Sequence, residues 1–385
     1  MDDSTYMTEA LRLARLGGAW VSPNPRVGAV VVRDGRIVGR GWHKEYGGPH
    51  AEIFALEEAG EQARGAVLYT TLEPCNHTGK TPPCVQAILA AAIKKVVLGA
   101  RDSNPLAAGG AAALIAAGVE VIDGVLAAEC RALNAPFFKT IQTGLPLISL
   151  KWAMSLDGKI ATPGGHSKWI TSEESRAAAH RLRARHDAVL IGIGTLLVDS
   201  PQLTCRISSP ASASLPGTGV MPALRQPQRI ILDSSARTPL DAPLWDAPGG
   251  GPVTIVCSAS TPRERVDALR ARGARIVEAP GDTAGLDVRE ALQSLAKLRI
   301  QSILVEGGAR VLGSFVDARV ADRAFIFIAP KIIGGAGGLS AVGGRGVAGV
   351  ADALRLHSLH VTPIGTDVLV DGALSEWEWD EAMPT

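Results

Sequence analysis

Three residues with metal-binding side chains constrain the fold of this chain more than any other feature. His50 opens a predicted helix, Cys75 follows a predicted strand, and Cys84 opens the next predicted helix. If the three side chains bind one ion, the strand and both helices must pack with these ends together. The alternatives to a metal site are a disulfide between the two cysteines and an ordinary pair of buried thiols.

Cysteine usage and the first residues argue against a disulfide. The chain has five cysteines, an odd number, spread thinly over 385 residues. The segment MDDSTYMTEALRLARLGG lacks the basic and apolar regions of a signal peptide, and no apolar run approaches the length of a membrane span. We therefore expect reduced thiols in a cytoplasmic protein that does not bind a membrane.

The donor set and its spacing favour a catalytic zinc ion. Two thiolates and one imidazole leave tetrahedral zinc an open position for water, and zinc lowers the pKa of that water to about 7. Glu52 lies two residues after His50, so it can enter the same pocket and transfer protons without being a ligand. The H-x-E and P-C…C pattern is that of zinc deaminases. We predict one zinc ion per chain, bound by His50, Cys75 and Cys84, with Glu52 as a catalytic residue.

Short apolar strands alternate with helical segments along the chain, which predicts an α/β fold. Residues 26–42 read as a hairpin that turns at Asp34 and Gly35, and residues 187–198 read as a buried strand. A further helix is predicted to have Thr261 as its N-cap and Pro262 as its first residue.

The alternation begins again near Leu145, without a repeat that relates the two halves. We therefore predict two domains, residues 1–145 and 146–385. Residues 208–227, rich in Ser, Pro, Ala and Gly, are expected to form a surface loop. The net charge is +1, and residues 1–145 contain 14 basic and 14 acidic residues. Without a basic surplus a nucleic-acid partner is not expected, and a small-molecule substrate is.

The first domain resembles the pyrimidine deaminase of riboflavin biosynthesis. The resemblance is carried by the eight residues NHTGKTPP between the two cysteines and by SPNPRVGAVVV, GWHKEYGGPHAE and ARDSNP. It implies a cytidine-deaminase-like three-layer α/β/α fold. It also implies substrate contacts from six residues: Asn24, His43, His77, Lys80, Asp102 and Asn104.

The long gap between the cysteines has a chemical use of its own. It holds a loop with His77 and Lys80 beside the zinc site, where the two side chains can bind a ribose phosphate attached to the pyrimidine. Asn24 and Asn104 both precede a proline, so local turn formation is a competing role for them.

The second domain contains no G-x-G-x-x-G fingerprint followed by an acidic residue. The segment VEGGARVLGSF places Glu306 after a strand, then two glycines, then a helix. Such a turn lets backbone N–H groups approach a phosphate, although it can equally be a plain tight connection.

The domain resembles the reductase that is fused to the same deaminase, which has a dihydrofolate-reductase-like α/β fold and uses NADPH. SLKWAMSLDGKIA, SKWITS, GIGTLLVDSPQLTCR and LVEGGARV carry this resemblance. It implies NADPH contacts from Ala153, Trp169, Thr195, Asp199, Ser234, Gly308, Ala309, Arg310, Val311, Leu312, Gly313 and Ser314. It implies substrate contacts from Ser167, Arg183, Leu203, Arg206 and Glu306.

The sequence leaves two assignments in this second site undecided: the role of Arg183 and the identity of the proton donor. Arg183 and Arg206 suit the substrate phosphate, but Arg183 lies in an arginine-rich helix where a surface ion pair is a strong alternative. Lys151 and Asp199 are the candidate catalytic proton donors of the reductase.

Together the two resemblances imply a bifunctional enzyme. The first domain deaminates 2,5-diamino-6-ribosylamino-4(3H)-pyrimidinone 5′-phosphate, and the second reduces the ribosyl chain with NADPH to give 5-amino-6-ribitylamino-uracil 5′-phosphate. We expect a homo-oligomer, a dimer or tetramer formed through the reductase domain. One rival is a nucleoside or tRNA deaminase with an inert second domain. Another is a binding protein with a structural zinc ion, which a fourth ligand at His43 or His77 would support.

Overall fold

The computed structural model describes residues 2–79, 81–207, 225–281 and 285–377. The chain divides into two compact units between Thr143 and Gly144. Within the described residues, no helix combines the length and the apolar character needed to cross a membrane.

The first unit contains a five-stranded sheet in the order β2-β1-β3-β4-β5. Strand β1 is antiparallel to β2 and β3, whereas β3, β4 and β5 are parallel. Its elements are α1 (Asp3–Arg15), β1 (Gly28–Arg33), β2 (Arg36–Trp42), α2 (Ala51–Ala59), β3 (Val67–Leu72), α3 (Cys84–Ala90), β4 (Lys95–Ala100), α4 (Gly110–Ala116), β5 (Glu120–Ile122), α5 (Ala127–Leu133) and α6 (Ala135–Thr143).

Local sequence explains the hairpin and the placement of α2 upon it. Asp34 and Gly35 both have positive φ, of 50° and 74°, the conformation of the two-residue turn that the DG pair predicts. The prediction of a hairpin is confirmed. Helix α2 packs directly on β2, because a Cβ on Gly41 would lie 2.1 Å from the carbonyl oxygen of Ala51. Glycine at this position thus lets the start of α2, and His50 before it, approach the sheet.

The second unit is built on a nine-stranded sheet in the order β11-β10-β9-β8-β12-β6-β13-β16-β15. All neighbours from β11 to β13 are parallel, and β16 and β15 complete an antiparallel edge. Its elements are β6 (Leu147–Ser155), β7 (Lys159–Ala161), α7 (Glu173–Arg185), β8 (Ala188–Gly192), α8 (Ile193–Asp199), β9 (Gln228–Leu232), β10 (Val253–Ser258), α9 (Arg263–Ala271), β11 (Arg275–Ala279), α10 (Val288–Ala296), β12 (Ser302–Val305), α11 (Ala309–Asp317), β13 (Arg323–Ala329), β14 (Leu339–Ser340), β15 (His357–Ile364) and β16 (Asp367–Ala373).

Buried side chains cover both faces of this sheet. Strand β8 shows the division, because Leu190 belongs to one apolar cluster while Val189 and Ile191 belong to the other. The alternation follows from the period of two along a strand. The continuous apolar run of β8 is therefore explained by helices and loops on both sides.

Two details of the sequence prediction are wrong. The predicted strand over 187–198 is a strand only to Gly192, after which Ile193–Asp199 form α8. Periodicity cannot separate a buried strand from the buried helix that follows it. Thr261 does not cap α9, whose N-cap is Pro262, because the Thr261 hydroxyl donates instead to the carbonyl oxygen of Ser234 at 2.9 Å.

The predicted surface loop over 208–227 lies mostly outside the described residues, which resume at Arg225. The two sides of this gap are joined by Gln226. Its side-chain carbonyl accepts from the Cys205 N–H at 2.7 Å, and its amide donates to the Cys205 carbonyl at 3.0 Å. The described residues on the two sides of the gap, Cys205 and Gln226, are therefore neighbours in the structure.

Candidate functional site

The three predicted metal ligands meet in the first unit. His50 Nδ1 lies 3.3 Å from Cys84 Sγ and 3.5 Å from Cys75 Sγ, and all three ligand atoms lie within 4.8 Å of one another. Ligands at 2.0–2.3 Å from a tetrahedral zinc ion are separated by roughly 3.5 Å. The spacing and the donor set both fit zinc, and since all five cysteines are free, the disulfide alternative is excluded.

Secondary structure places each of these ligands. His50 is the N-cap of α2, Cys84 is the first residue of α3, and Cys75 follows the end of β3 by three residues. The Cys84 backbone N–H donates to Cys75 Sγ at 3.4 Å. Hydrogen bonds from Cys84 and His50 lower the pKa of the Cys75 thiol, which favours the thiolate form needed for zinc binding.

Glu52 is buried at the same point, only 3% exposed. Its Oε2 atom has no hydrogen-bond partner among the described residues. Burial raises the pKa of this carboxyl, which makes its carboxylate a stronger proton acceptor. A buried polar oxygen of this kind requires a partner, and a water bound at the neighbouring metal position would provide one. The residues present thus fit a zinc ion with an open coordination position.

His43 is not a fourth ligand. Its Nδ1 donates to the Pro49 carbonyl oxygen at 2.9 Å, so Nε2 is the acceptor for the Asn24 side-chain amide at 3.0 Å. Burial lowers the pKa of His43, consistent with a neutral ring, and the ring stands edge-on to His50 at 5.3 Å. Within the described part of the chain, the metal cluster contains His50, Cys75 and Cys84 alone, so a structural four-ligand site lacks its fourth member.

A cavity of about 230 Å³ opens beside the ligands. Five of the six predicted substrate contacts line it: Asn24, His43, His77, Asp102 and Asn104. The sixth, Lys80, lies outside the described residues. Asn104 also has the competing turn role, because its side-chain oxygen accepts from the Leu106 N–H at 3.1 Å.

Among the lining residues that the sequence did not predict, Phe137 and Glu73 are the most informative. Phe137, in α6, contributes an apolar wall, and Glu73, directly after β3, contributes a carboxylate. Phe137 lies more than fifty residues beyond the last metal ligand, so nothing in the motif pointed to it. Glu73 was within the LEPC segment, where an acidic residue two positions before a metal ligand was a signal that could have been used.

In the second unit, three predicted site residues form one ionic cluster whose side chains are largely shielded from solvent. Arg183 donates to Glu306 through Nε at 2.6 Å and through Nη2 at 3.0 Å, and Lys151 Nζ lies 3.6 Å from Glu306. Burial opposes ionisation of Glu306, but Arg183 and Lys151 overcome it and hold the pKa of this carboxyl at about 2. The remaining Arg183 nitrogen, Nη1, donates to the Thr204 carbonyl at 3.0 Å. The side chains of this ion pair are only 14% and 8% exposed, unlike the surface pair considered from the sequence.

The glycine turn after β12 approaches its neighbours closely. A Cβ on Gly307 would lie 2.6 Å from Val311 Cβ, and a Cβ on Gly192 would lie 2.5 Å from Val311 Cγ2. The Gly308 N–H donates to Thr195 Oγ1 at 3.2 Å, which joins the start of α11 to α8. The structure therefore brings together two of the segments predicted to bind NADPH.

The other predicted residues of this unit occupy varied environments. Trp169 is 68% exposed and packs on the Arg176 guanidinium at 4.6 Å from the ring centre. Leu203 is buried, while Asp199, at the end of α8, and Arg206 are exposed. Ala153, Ser167 and Ser234 are half-buried.

Comparisons with known proteins agree with both halves of this description. The family described as the RibD C-terminal domain matches residues 146–370, and the cytidine and deoxycytidylate deaminase zinc-binding region matches residues 1–100. The chain is 40% identical to the riboflavin biosynthesis protein RibD of Actinobacillus pleuropneumoniae, over 96% of this chain and 95% of that protein. It is 42% identical to the same protein of Aquifex aeolicus, over 96% and 97%.

Solved structures show the same likeness. A structure of Acinetobacter baumannii RibD superposes with a TM-score of 0.84 at 35% identity and covers 96% of this chain and 98% of that one. A Thermotoga maritima diaminohydroxyphosphoribosylaminopyrimidine deaminase/5-amino-6-(5-phosphoribosylamino)uracil reductase gives 0.82 at 36% identity, with the same coverage. The predicted fold class, a deaminase-like unit followed by a reductase unit, is confirmed.

Proposed function

The chain belongs to the RibD family of bifunctional riboflavin biosynthesis proteins, and from that premise we propose which of its residues perform the two reactions. It is an enzyme that deaminates 2,5-diamino-6-ribosylamino-4(3H)-pyrimidinone 5′-phosphate and then reduces the ribosyl chain to the ribityl chain. Its cofactors are zinc and NADPH. Residues 1–145 form the deaminase domain and residues 146–385 the reductase domain.

His50, Cys75 and Cys84 hold the zinc ion of the deaminase. When bound there, zinc supplies an activated water for hydrolysis at neutral pH. Glu52 accepts a proton from the attacking water and delivers it to the leaving amine, which departs as ammonia. The observation that carries this role is the unpartnered Oε2 of Glu52, buried beside the ligands in the wall of the cavity.

The cavity accommodates the pyrimidine and its attached sugar phosphate. Asn24 and His43 are bonded to each other at one wall, and Asp102 and Asn104 lie in another segment of the lining. His77, exposed at the lining, and Lys80 in the same loop bind the ribose phosphate.

The reductase site lies at the carboxyl ends of the parallel strands β6, β8 and β12, where open α/β sheets bind their ligands. NADPH supplies the hydride that reduces the opened ribosyl chain. The cofactor is bound by Ala153, Trp169, Thr195, Asp199, Ser234 and the Gly308–Ser314 segment.

Lys151 is the proton donor of the reductase, because its Nζ lies 3.6 Å from Glu306 within the ionic cluster and its side chain is only 17% exposed, whereas Asp199 is exposed. Ser167, Leu203, Arg206, Glu306 and Arg183 bind the substrate. Glu306 and Thr204 engage three of the five N–H groups of Arg183, so Nη1 and Nη2 each keep one N–H group that can donate to the phosphate.

The enzyme acts in the cytoplasm as a homo-oligomer assembled through the reductase domain. Supporting this assembly, the edge strand β15 exposes Leu359 and Val361 by 56% and 61%. Sedimentation analysis of the protein and of a Val361→Lys variant tests this proposal. A wild-type protein that sediments as a monomer would exclude it.

Separate assays of the two half-reactions test the proposed function. We expect ammonia release from the diamino substrate without NADPH, and NADPH oxidation only after deamination. The deaminase assignment would be excluded if the zinc-containing protein oxidised NADPH but released no ammonia in any preparation.

A further inference from the structure

Glu73 is a buried carboxylate that neither the zinc site nor the proton transfer uses. It follows β3 directly, is 5% exposed, and lines the cavity. Its Oε1 accepts from the Ala111 N–H at 2.9 Å and from Arg101 at 3.4 Å, and its Oε2 accepts from the Asp102 N–H at 3.1 Å. The Glu73 side chain thus binds three residues of one continuous segment, which consists of loop 101–109 and the first turn of α4. Two of these residues lie in the loop and the third lies in the helix.

This loop forms the cavity wall next to the zinc ligands. Asp102 and Asn104 line the cavity, and Ala107 packs against Cys75 and Cys84. Backbone bonds tie the loop to the chain around Cys75, from Glu73 N–H to the Ala100 carbonyl at 2.9 Å and from Asn76 N–H to the Ala107 carbonyl at 3.2 Å.

The part of the loop that carries Asp102 lies between those two backbone hydrogen bonds. The Glu73 carboxylate holds this part through its hydrogen bond from the Asp102 N–H. The Asp102 side chain in turn accepts from the Asn104 N–H at 2.8 Å, so the position of one residue sets the position of the other. We propose that Glu73 is a positioning residue of deamination, whose carboxylate holds loop 101–109 so that Asp102 and Asn104 face the substrate. The inference rests on the proposed function of this cavity.

Glu73→Gln is the informative variant because it keeps the shape of the side chain. Glutamine has one acceptor oxygen and one amide group, so it cannot accept from both Asp102 and Ala111. We expect KM for deamination to rise about tenfold, the equivalent of one hydrogen bond of about 1.4 kcal/mol, with kcat within about twofold. Zinc content and NADPH oxidation on the deaminated substrate should not change.

Two further variants serve as controls. Glu120→Gln changes an exposed glutamate on β5, paired with Lys95 at 3.5 Å, and should leave KM unchanged. Glu73→Asp keeps both acceptor oxygens on a shorter side chain, and its KM should lie between those of the unaltered protein and Glu73→Gln.

Hydrogen exchange of the Asp102 and Ala111 backbone amides is measured on each protein. This measurement does not require the protein to be catalytically active. Faster exchange of both amides in Glu73→Gln, together with the rise in KM, supports the inference. Unchanged exchange overturns it, as does faster exchange with unchanged KM. Lost zinc would make Glu73 a support of Cys75 and also overturns it. Failure of the unaltered protein to release ammonia refutes the proposed function instead.

Discussion

Removal of the Glu306 charge should destabilise the reductase unit strongly. In Glu306→Gln, Arg183 and Lys151 keep their charges in surroundings where their side chains are only 14% and 17% exposed. The native pKa of about 2, against an ordinary value of 4.5, corresponds to about 3 kcal/mol of stability at neutral pH. Loss of one partner from a buried ion pair costs a similar amount, about 3–5 kcal/mol.

Urea unfolding followed by circular dichroism measures this loss. Saturating NADPH identifies the transition of the second unit, because a ligand of the native state shifts only the unit that binds it. Glu278→Gln is the matched control in the same unit. Glu278 pairs with Arg263 at 3.2 Å, but these side chains are 39% and 71% exposed, so the control should lose less than about 1 kcal/mol.

The pH dependence gives a second check on the same charge. The native pKa of Glu306 lies below its unfolded value, so the native state binds fewer protons over this range. Its contribution is complete above pH 4.5 and is lost as the pH falls through about 2. The stability difference between the unaltered protein and Glu306→Gln should therefore narrow below pH 4.5. Equal stabilities at pH 7, or a difference that does not vary with pH, would refute the ionic account of this cluster.

The deaminase residues yield three more expectations. Cys84→Ala should lose its zinc in metal analysis while keeping reductase activity, and retention of one zinc with full deamination would contradict the ligand assignment. Glu52→Gln should keep zinc and lower ammonia release by at least about a hundredfold, since it removes the proton carrier and no ligand; loss of zinc would make Glu52 structural. Lys80→Ala should weaken binding of the phosphorylated substrate by about ten- to a hundredfold, and less for the dephosphorylated one. Equal losses on both substrates would mean that Lys80 supports its loop.

Features that depend on local chemistry could be predicted from the sequence. The DG turn fixed the hairpin, because both residues adopt positive φ there. The ligand set could be found because His50 and Cys84 stand where helices begin, and because two thiolates with one imidazole suit few roles other than zinc binding.

Features that depend on packing could not be predicted from the sequence. The apolar run after residue 187 hid the change from β8 to α8, since both elements are buried. The role of His43 depends on Pro49 and Asn24, whose bonds to its two nitrogens set its tautomer. No pattern in the sequence specifies those bonds.

The cluster around Glu306 shows what information the sequence lacks. Arg183 and Glu306 are 123 residues apart, and the arginine-rich helix offered no reason to choose a buried partner for Arg183. Strand order supplies that reason. Strand β12 lies between β8 and β6, and Val305 is paired in parallel register with Leu150. The residues that follow this pair are Glu306, directly after β12, and Lys151, within β6, so the register puts the carboxylate beside the ammonium group. The motif residues are visible in the sequence, but their contacts follow from the order of strands in the sheet.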